Sequence, residues 1–249
     1  MFDTHTNLMW YPDHLSDEFV EFALEAKRAK MRLSEDVYFA GADTPEKNAF
    51  DSTPEQLLEA TAAMDRVIVF GIKAPFCGIN ADQNLIADFV KQHSDRFIGW
   101  CSVDPNDSDC VAQLEHYVND LGLRGLKCSP IYQNWDPQDP RHLPLFKKAA
   151  ALGIPVNIHQ GTSFVRPGPL KFANPILLED IAVACPDLRL VISHMGRTLP
   201  CFFIRWSLQR KLGHSLGSVL VSVTIDNPFS FVPDPIVNSC EHLVWKDLD

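Results

Sequence analysis

The sequence has 249 residues, of which 46% are apolar, and its formal net charge is −10 with a pI of about 5.3. This length suits one α/β barrel or two small domains. The acidic balance, without any cluster of lysine and arginine, argues against nucleic acid as a partner.

No apolar run approaches the roughly 18 residues that a membrane span requires. The N-terminus also lacks the basic and apolar regions of a secretory signal. The seven cysteines include no C-x-x-C pair, which is typical of reduced thiols. These features predict a cytoplasmic protein with no membrane partner.

Short apolar segments alternate with helix-like segments as far as residue 196. The predicted strands are Met1–Leu8, Arg66–Ile72, Phe97–Val103, Leu123–Ser129, Ile154–His159 and Leu188–His194. The predicted helices span 16–32, 53–64, 80–93, 111–121, 143–152 and 174–185. Such alternation is typical of a (β/α)₈ TIM-like barrel or a doubly wound parallel sheet. The absence of a G-x-G-x-x-G sequence after the first strand counts against a dinucleotide-binding sheet.

Two of the predicted strands end in a histidine, His159 and His194, and a third histidine, His5, ends the first apolar piece, Met1–His5. In a barrel of parallel strands, groups at the carboxyl ends of the strands converge on one mouth, where the chemistry takes place. The pattern therefore predicts a metal-site enzyme or the remains of one. The alternative is that these histidines only satisfy local hydrogen bonds at strand ends.

Position 7 faces the same side of its strand as His5, because side chains two residues apart point the same way. A second histidine there would form a chelating pair, but the residue is Asn7, and an amide is a poor ligand for zinc-like metals. Lys127, at the end of the fourth strand, is predicted to hold a substrate carboxylate. A Schiff-base role and a plain ion pair remain alternatives for it. Asp3 and Asp104 are candidates for orienting a histidine.

The sequence resembles the amidohydrolase superfamily, in its amidohydrolase-related branch of metal-dependent hydrolases and decarboxylases. The motifs that carry the resemblance are Asp3–Asn7, Arg96–Trp100, Val103–Pro105, Gly122–Lys127, Gly153–His159 and Ile192–Gly196. The resemblance implies a distorted (β/α)₈ barrel with one divalent metal, zinc in preference to manganese. It further implies that His5, Asn7 and His159 occupy metal-ligand positions and that His194 is the catalytic acid/base.

The sequence departs from the family pattern at two ligand positions. Asn7 replaces a histidine, and the Gly-Ser-Asp signature of the eighth strand is absent, with only Asp247 at a similar spacing. Metal binding is therefore expected to be weak or absent. After Gly196 the strand–helix rhythm stops, although the alternating segment Ser218–Ile225 is a candidate seventh strand.

We therefore predict one barrel domain over residues 1–249, family-like over 1–197 and with an atypical tail over 198–249. The barrel should be incomplete at strands seven and eight, with a reading frame that is frameshifted or truncated near Arg197. The predicted function is hydrolysis or non-oxidative decarboxylation of a small aromatic or unsaturated carboxylic acid. The alternative is a catalytically impaired barrel that serves as a scaffold or is a truncated gene product. A small-molecule substrate is the expected partner, and homo-oligomerisation remains open.

Overall fold

The computed structural model describes residues 1–33, 50–161, 163, 165–194 and 219–221. These residues contain nine strands, which in chain order are β1 (Phe2–Asn7), β2 (Arg66–Phe70), β3 (Lys73–Ala74), β4 (Ile79–Asn80), β5 (Phe97–Ser102), β6 (Leu126–Cys128), β7 (Val156–His159), β8 (Leu190–Ser193) and β9 (Val219–Val221). Seven of them form one sheet in the order β1-β2-β5-β6-β7-β8-β9. Every neighbouring pair in this sheet is parallel. Strands β3 and β4 form a small antiparallel pair beside it.

Helices connect the strands of the main sheet. They are α1 (Asp17–Leu33), α2 (Pro54–Ala60), α3 (Gln83–Gln92), α4 (Cys110–Asn119), α5 (Leu143–Ala151) and α6 (Glu179–Ala184). The predicted caps are present, since the Ser16 hydroxyl accepts from the backbone N–H of Phe19 and Thr53 forms a capping box with Gln56. The helix predicted over 174–185 is instead a 3₁₀ turn, Pro175–Leu178, followed by α6.

The two faces of the sheet are buried in different apolar clusters. Val67 and Val69 of β2 belong to one cluster that also contains residues of α3 to α6. Ile68 and Phe70, which alternate with them, point into a second cluster on the opposite face. Burial on both faces explains why the strands are apolar without alternation, as parallel strands covered on both sides are.

The main sheet curls into part of a barrel. Strands β1 and β8 are five places apart in the strand order, yet the Ser193 Oγ lies 3.4 Å from the His5 Nδ1. This contact can form only if the second face is concave and its two sides approach each other. The predicted class, an α/β fold with a TIM-like barrel, is therefore confirmed. It is incomplete within the described ranges, where β1 and β9 form the two edges of the sheet.

The C-terminal predictions fall partly on described residues. The candidate seventh strand is present as β9, which pairs in parallel with β8. Within the described ranges there is no eighth barrel strand. Asp247 and the predicted break near Arg197 lie outside the described residues. None of the helices in those ranges combines the length and the apolar content that crossing a membrane requires.

Candidate active site

The three predicted histidines come together at the carboxyl ends of their strands. The ring centroid of His194 lies 5.1 Å from that of His5 and 4.5 Å from that of His159. Both contacts are edge-to-face. His5, His159 and His194, which were predicted from three separate strands, therefore form one cluster, which we call the histidine cluster.

Two aromatic side chains pack against the histidine cluster. The ring of Phe70 lies 4.9 Å from that of His5 at an interplanar angle of 82°. The ring of Tyr132, in the loop after β6, lies 4.8 Å from that of His159. The cluster is therefore walled by apolar surface, and His159 is only 6% exposed.

The backbone at the end of β8 has an unusual conformation. His194 has a φ of 60°, in the left-handed region that residues other than glycine seldom adopt. Conformations of this kind cost free energy and persist mainly where the surrounding structure enforces them, often at functional sites. The position at which His194 leaves the strand is therefore consistent with a functional role.

A set of polar side chains lies on the concave face beneath the histidine cluster. The Lys127 Nζ is 2.7 Å from the Asn157 Oδ1 and 3.3 Å from the Ser193 Oγ. The Ser193 hydroxyl also lies 2.5 Å from the Asn157 Oδ1. The exposed fractions of Lys127, Asn157 and Ser193 are 1%, 1% and 0%. We call these three residues the polar triad.

Lys127 is almost fully buried, whereas a lysine that binds a substrate carboxylate needs its ammonium to reach the substrate. Its ammonium donates within the polar triad and lies 5.0 Å from the centroid of the Phe70 ring. These contacts suit the charged ammonium, whereas a Schiff base requires the neutral amine. The contact with a substrate carboxylate stays a prediction.

The environment of His5 favours the neutral imidazole. Burial lowers the pKa of His5 well below its ordinary value, and the positive charges of Lys127, His194 and His159 lower that pKa further. A neutral imidazole is the form that binds a metal ion. The local electrostatics therefore keep this nitrogen ligand available near neutral pH.

The histidine cluster supplies only part of the donor set that a divalent metal ion needs. Among the described residues, no three His, Cys, Asp or Glu side chains have the spacing of a metal site. Three donors can therefore come together among the described residues only if one of them is a side chain of another type. Asn7 offers one, because its Oδ1 is buried and has no hydrogen-bond partner among the described residues. This unpartnered oxygen fits a weakly held divalent ion, and the assignment of His5 and His159 as ligands beside it stays a prediction.

Among the described residues, the two aspartates proposed to orient a histidine, Asp3 and Asp104, contact other groups instead. The Asp3 carboxylate accepts from the backbone N–H of His5 at 3.0 Å rather than from its ring. The Asp104 carboxylate accepts from the backbone and side chain of Asn106. The Asp3 contact lies within β1, where the pairing with β2 is irregular, and the Asp104 contact is a local one of the kind that aspartates commonly make.

Sequence reasoning missed Asn157 and Ser193. Both occupy strand positions that point to the concave face, two residues before His159 and one residue before His194. The sequence does contain a sign of their importance, since each is a polar residue inside an otherwise apolar buried strand. Such residues need internal hydrogen-bond partners, and Lys127 on β6 donates to both of them.

The chain is similar to a known protein family and to several solved structures. The family model described as Amidohydrolase matches residues 2–211. An uncharacterised TIM-barrel protein from Bordetella bronchiseptica is 18% identical with a TM-score of 0.63, over 89% of this chain and 74% of that one. No curated protein matches the sequence.

Two decarboxylases are also similar in structure. A 5-carboxyvanillate decarboxylase from Novosphingobium aromaticivorans, solved with bound manganese, is 17% identical with a TM-score of 0.55, over 90% of this chain and 79% of that one. A 2,6-dihydroxybenzoate decarboxylase from Rhizobium is 16% identical with a TM-score of 0.53, over 92% and 88%. At these identities the likeness shows a shared fold.

A curled parallel sheet with histidines gathered at the carboxyl ends of its strands defines a TIM-barrel protein of the kind whose site lies at that end. The family match identifies the particular lineage: the chain belongs to the amidohydrolase family. The match runs to residue 211, beyond the boundary at 197 that was expected from the sequence motifs.

Proposed function

We propose that the chain is a metal-dependent enzyme that removes the carboxylate of a small aromatic carboxylic acid without an oxidant. The observation that supports this most directly is the histidine cluster, which brings His5, His159 and His194 together at the carboxyl ends of β1, β7 and β8. Family membership supports an enzyme, and two of the similar structures are decarboxylases of aromatic acids. The substrate class comes from those neighbours.

In this proposal His5, His159 and Asn7 hold the metal. A bound divalent ion would supply positive charge for the substrate carboxylate and an adjacent oxygen. Zinc suits the two imidazoles, and manganese is the ion in one similar structure. The single amide among the ligands predicts weaker binding than a third imidazole would give.

His194 acts as the proton donor. Its imidazolium gives a proton to the ring carbon that carries the carboxylate. The electron pair of the carbon–carboxylate bond then returns to the ring, and carbon dioxide leaves. The reaction consumes one proton, releases one carbon dioxide and needs no redox partner. Phe70 and Tyr132 line the cluster and exclude water from the reacting carbon.

Hydrolysis is the second reaction that the same groups could support. In that case His194 would accept a proton from the attacking water and return it to the leaving group. A carboxylate substrate with an ester or lactone bond would then be cleaved without loss of carbon dioxide. A small-molecule substrate, a cytoplasmic location and a single domain over 1–249 belong to either form of the proposal.

The test is an assay of the full chain with zinc or manganese added. We expect 2,6-dihydroxybenzoate or 5-carboxyvanillate to release carbon dioxide and the decarboxylated phenol in equal amounts. Turnover of a lactone or methyl ester of such acids, without carbon dioxide, would instead support hydrolysis. Product identity is read by chromatography and metal content by elemental analysis.

A non-catalytic scaffold is the competing candidate. It is favoured by Asn7 at a ligand position and by the absence, among the described residues, of three His, Cys, Asp or Glu side chains with metal-site spacing. Less than about a tenth of an equivalent of metal after loading, with no turnover of any tested acid or ester, would support the scaffold and contradict the enzyme.

Replacing Asn7 with histidine is expected to strengthen metal binding by about tenfold or more, because imidazole is a better ligand than an amide for zinc-like ions. The measurement is competition for zinc with a chelator of known affinity. Asn119→His is the matched control, because Asn119 is exposed on α4, a helix that packs on the face of the sheet opposite the concave one. Equal affinities for Asn7→His and the unmodified chain would show that position 7 is not a ligand.

A further inference from the structure

The polar triad is joined to the histidine cluster through one contact. The Ser193 Oγ lies 3.4 Å from the His5 Nδ1, while the same oxygen contacts Lys127 and Asn157 beneath it. A continuous set of polar contacts therefore runs from β6 through β7 and β8 to the first histidine on β1. The mechanism above gives no role to Asn157 or Ser193.

The directions of these hydrogen bonds follow from what each group can donate. An ammonium can only donate, so the Asn157 atom that faces Lys127 at 2.7 Å must be its carbonyl oxygen. This assignment fixes the orientation of the amide. The Asn157 Oδ1 also faces the Ser193 hydroxyl at 2.5 Å, and since an oxygen without a proton can only accept, Ser193 donates its one proton to it.

The remaining contacts of Ser193 must then be accepted by its lone pairs. Lys127 donates to the Ser193 Oγ at 3.3 Å. The His5 Nδ1, at 3.4 Å from the same oxygen, can make a favourable contact only if it carries a proton. A neutral imidazole with its proton on Nδ1 keeps its lone pair on Nε2.

We propose that Lys127, Asn157 and Ser193 are positioning residues that hold His5 in the tautomer with the proton on Nδ1 and the lone pair on Nε2. The triad is buried, with no member more than 1% exposed, so water does not compete for these hydrogen bonds. Outer groups of this kind fix the tautomer and ring orientation of metal-binding histidines in other proteins. The consequence for metal binding rests on the proposed function, whereas the tautomer itself does not.

Lys127 thereby has a role that differs from direct substrate contact. Its ammonium anchors the Asn157 oxygen, which in turn orients the Ser193 hydroxyl. The three residues act through His5 rather than on the substrate.

The test is nuclear magnetic resonance of the metal-free full chain labelled with ¹⁵N in its histidines. The His5 signals are assigned from the spectrum of the His5→Gln variant. Couplings between ring nitrogens and carbon-bound protons report which nitrogen carries the proton. We expect His5 with its proton on Nδ1 in the unmodified chain, in Ser193→Thr, which keeps the hydroxyl, and in Ser102→Ala.

Ser102→Ala is the matched control because Ser102 is also fully buried, on β5, and its hydroxyl accepts from the backbone N–H of Lys73. Ser193→Ala should instead shift His5 toward the tautomer protonated on Nε2. It should also weaken manganese binding by about 10–100-fold in a direct titration, as loss of an orienting group does elsewhere. Ser193→Thr should bind manganese with the affinity of the unmodified chain.

His5 protonated on Nε2 in the unmodified chain would overturn the inference without any variant having to fold. An unchanged tautomer in Ser193→Ala would overturn it as well. If the unmodified chain binds no metal, the proposed function fails, while the tautomer measurement still decides the role of the polar triad.

Discussion

Replacing His194 with glutamine is expected to lower kcat/KM by about 10²–10⁴-fold, the usual contribution of a positioned acid or base. Glutamine can still hydrogen-bond to a substrate, but it cannot deliver a proton to the carbon from which carbon dioxide leaves. His194 contacts both other histidines through ring centroids at 5.1 and 4.5 Å. The measurement is steady-state kinetics together with metal content.

Metal content should be unchanged in His194→Gln, because His194 is assigned to proton transfer and not to metal binding. His116→Gln is the matched control, since His116 is exposed on α4 and pairs with Asp120. It should retain full activity. A His194→Gln variant with kcat/KM within about threefold of the unmodified chain would show that another group moves the proton.

The second large effect concerns stability. Replacing Asn157 with leucine is expected to lower the free energy of unfolding by about 3 kcal/mol, because a buried ammonium loses the closer of its two acceptors in the polar triad. Leucine is close to asparagine in size, so the loss reflects polarity and not a cavity. The measurement is equilibrium unfolding in urea, followed by circular dichroism.

The double variant Lys127→Met with Asn157→Leu provides the control. Removing the charge together with its partner should recover about 1 kcal/mol or more relative to Asn157→Leu alone, because no buried charge then loses its partner. A double variant that is less stable by the sum of the two single effects would show that the two residues do not interact. The Lys127 Nζ to Asn157 Oδ1 distance of 2.7 Å predicts coupling.

Much of the fold could be predicted from the sequence because the βα rhythm is strong. The predicted strand Arg66–Ile72 is observed as Arg66–Phe70, and Phe97–Val103 as Phe97–Ser102. Apolar runs bounded by glycine and proline mark such strands. The pair β3–β4 was not predicted, because a two-residue strand has too few positions to show a pattern.

The site could be predicted only in part. His5, His159 and His194 were identified because histidines near the ends of parallel strands converge on one mouth when the strands belong to a barrel. Asn157 and Ser193 were not, because a single polar residue within a strand has meaning only once its partner on another strand is known. Lys127 was recognised, but the sequence could not show that its ammonium is directed into the sheet's own hydrogen bonds.

The contact between Ser193 and His5 joins residues 188 positions apart in the chain. Contacts at such separation are late and slow to form, because the entropy of closing a long loop must be overcome before they can contribute. Helices and neighbouring strands can therefore regain their structure during refolding while the histidines are still apart. The ability to hold a proton or a metal at this cluster is a property that the chain acquires only when the two sides of the sheet finally meet.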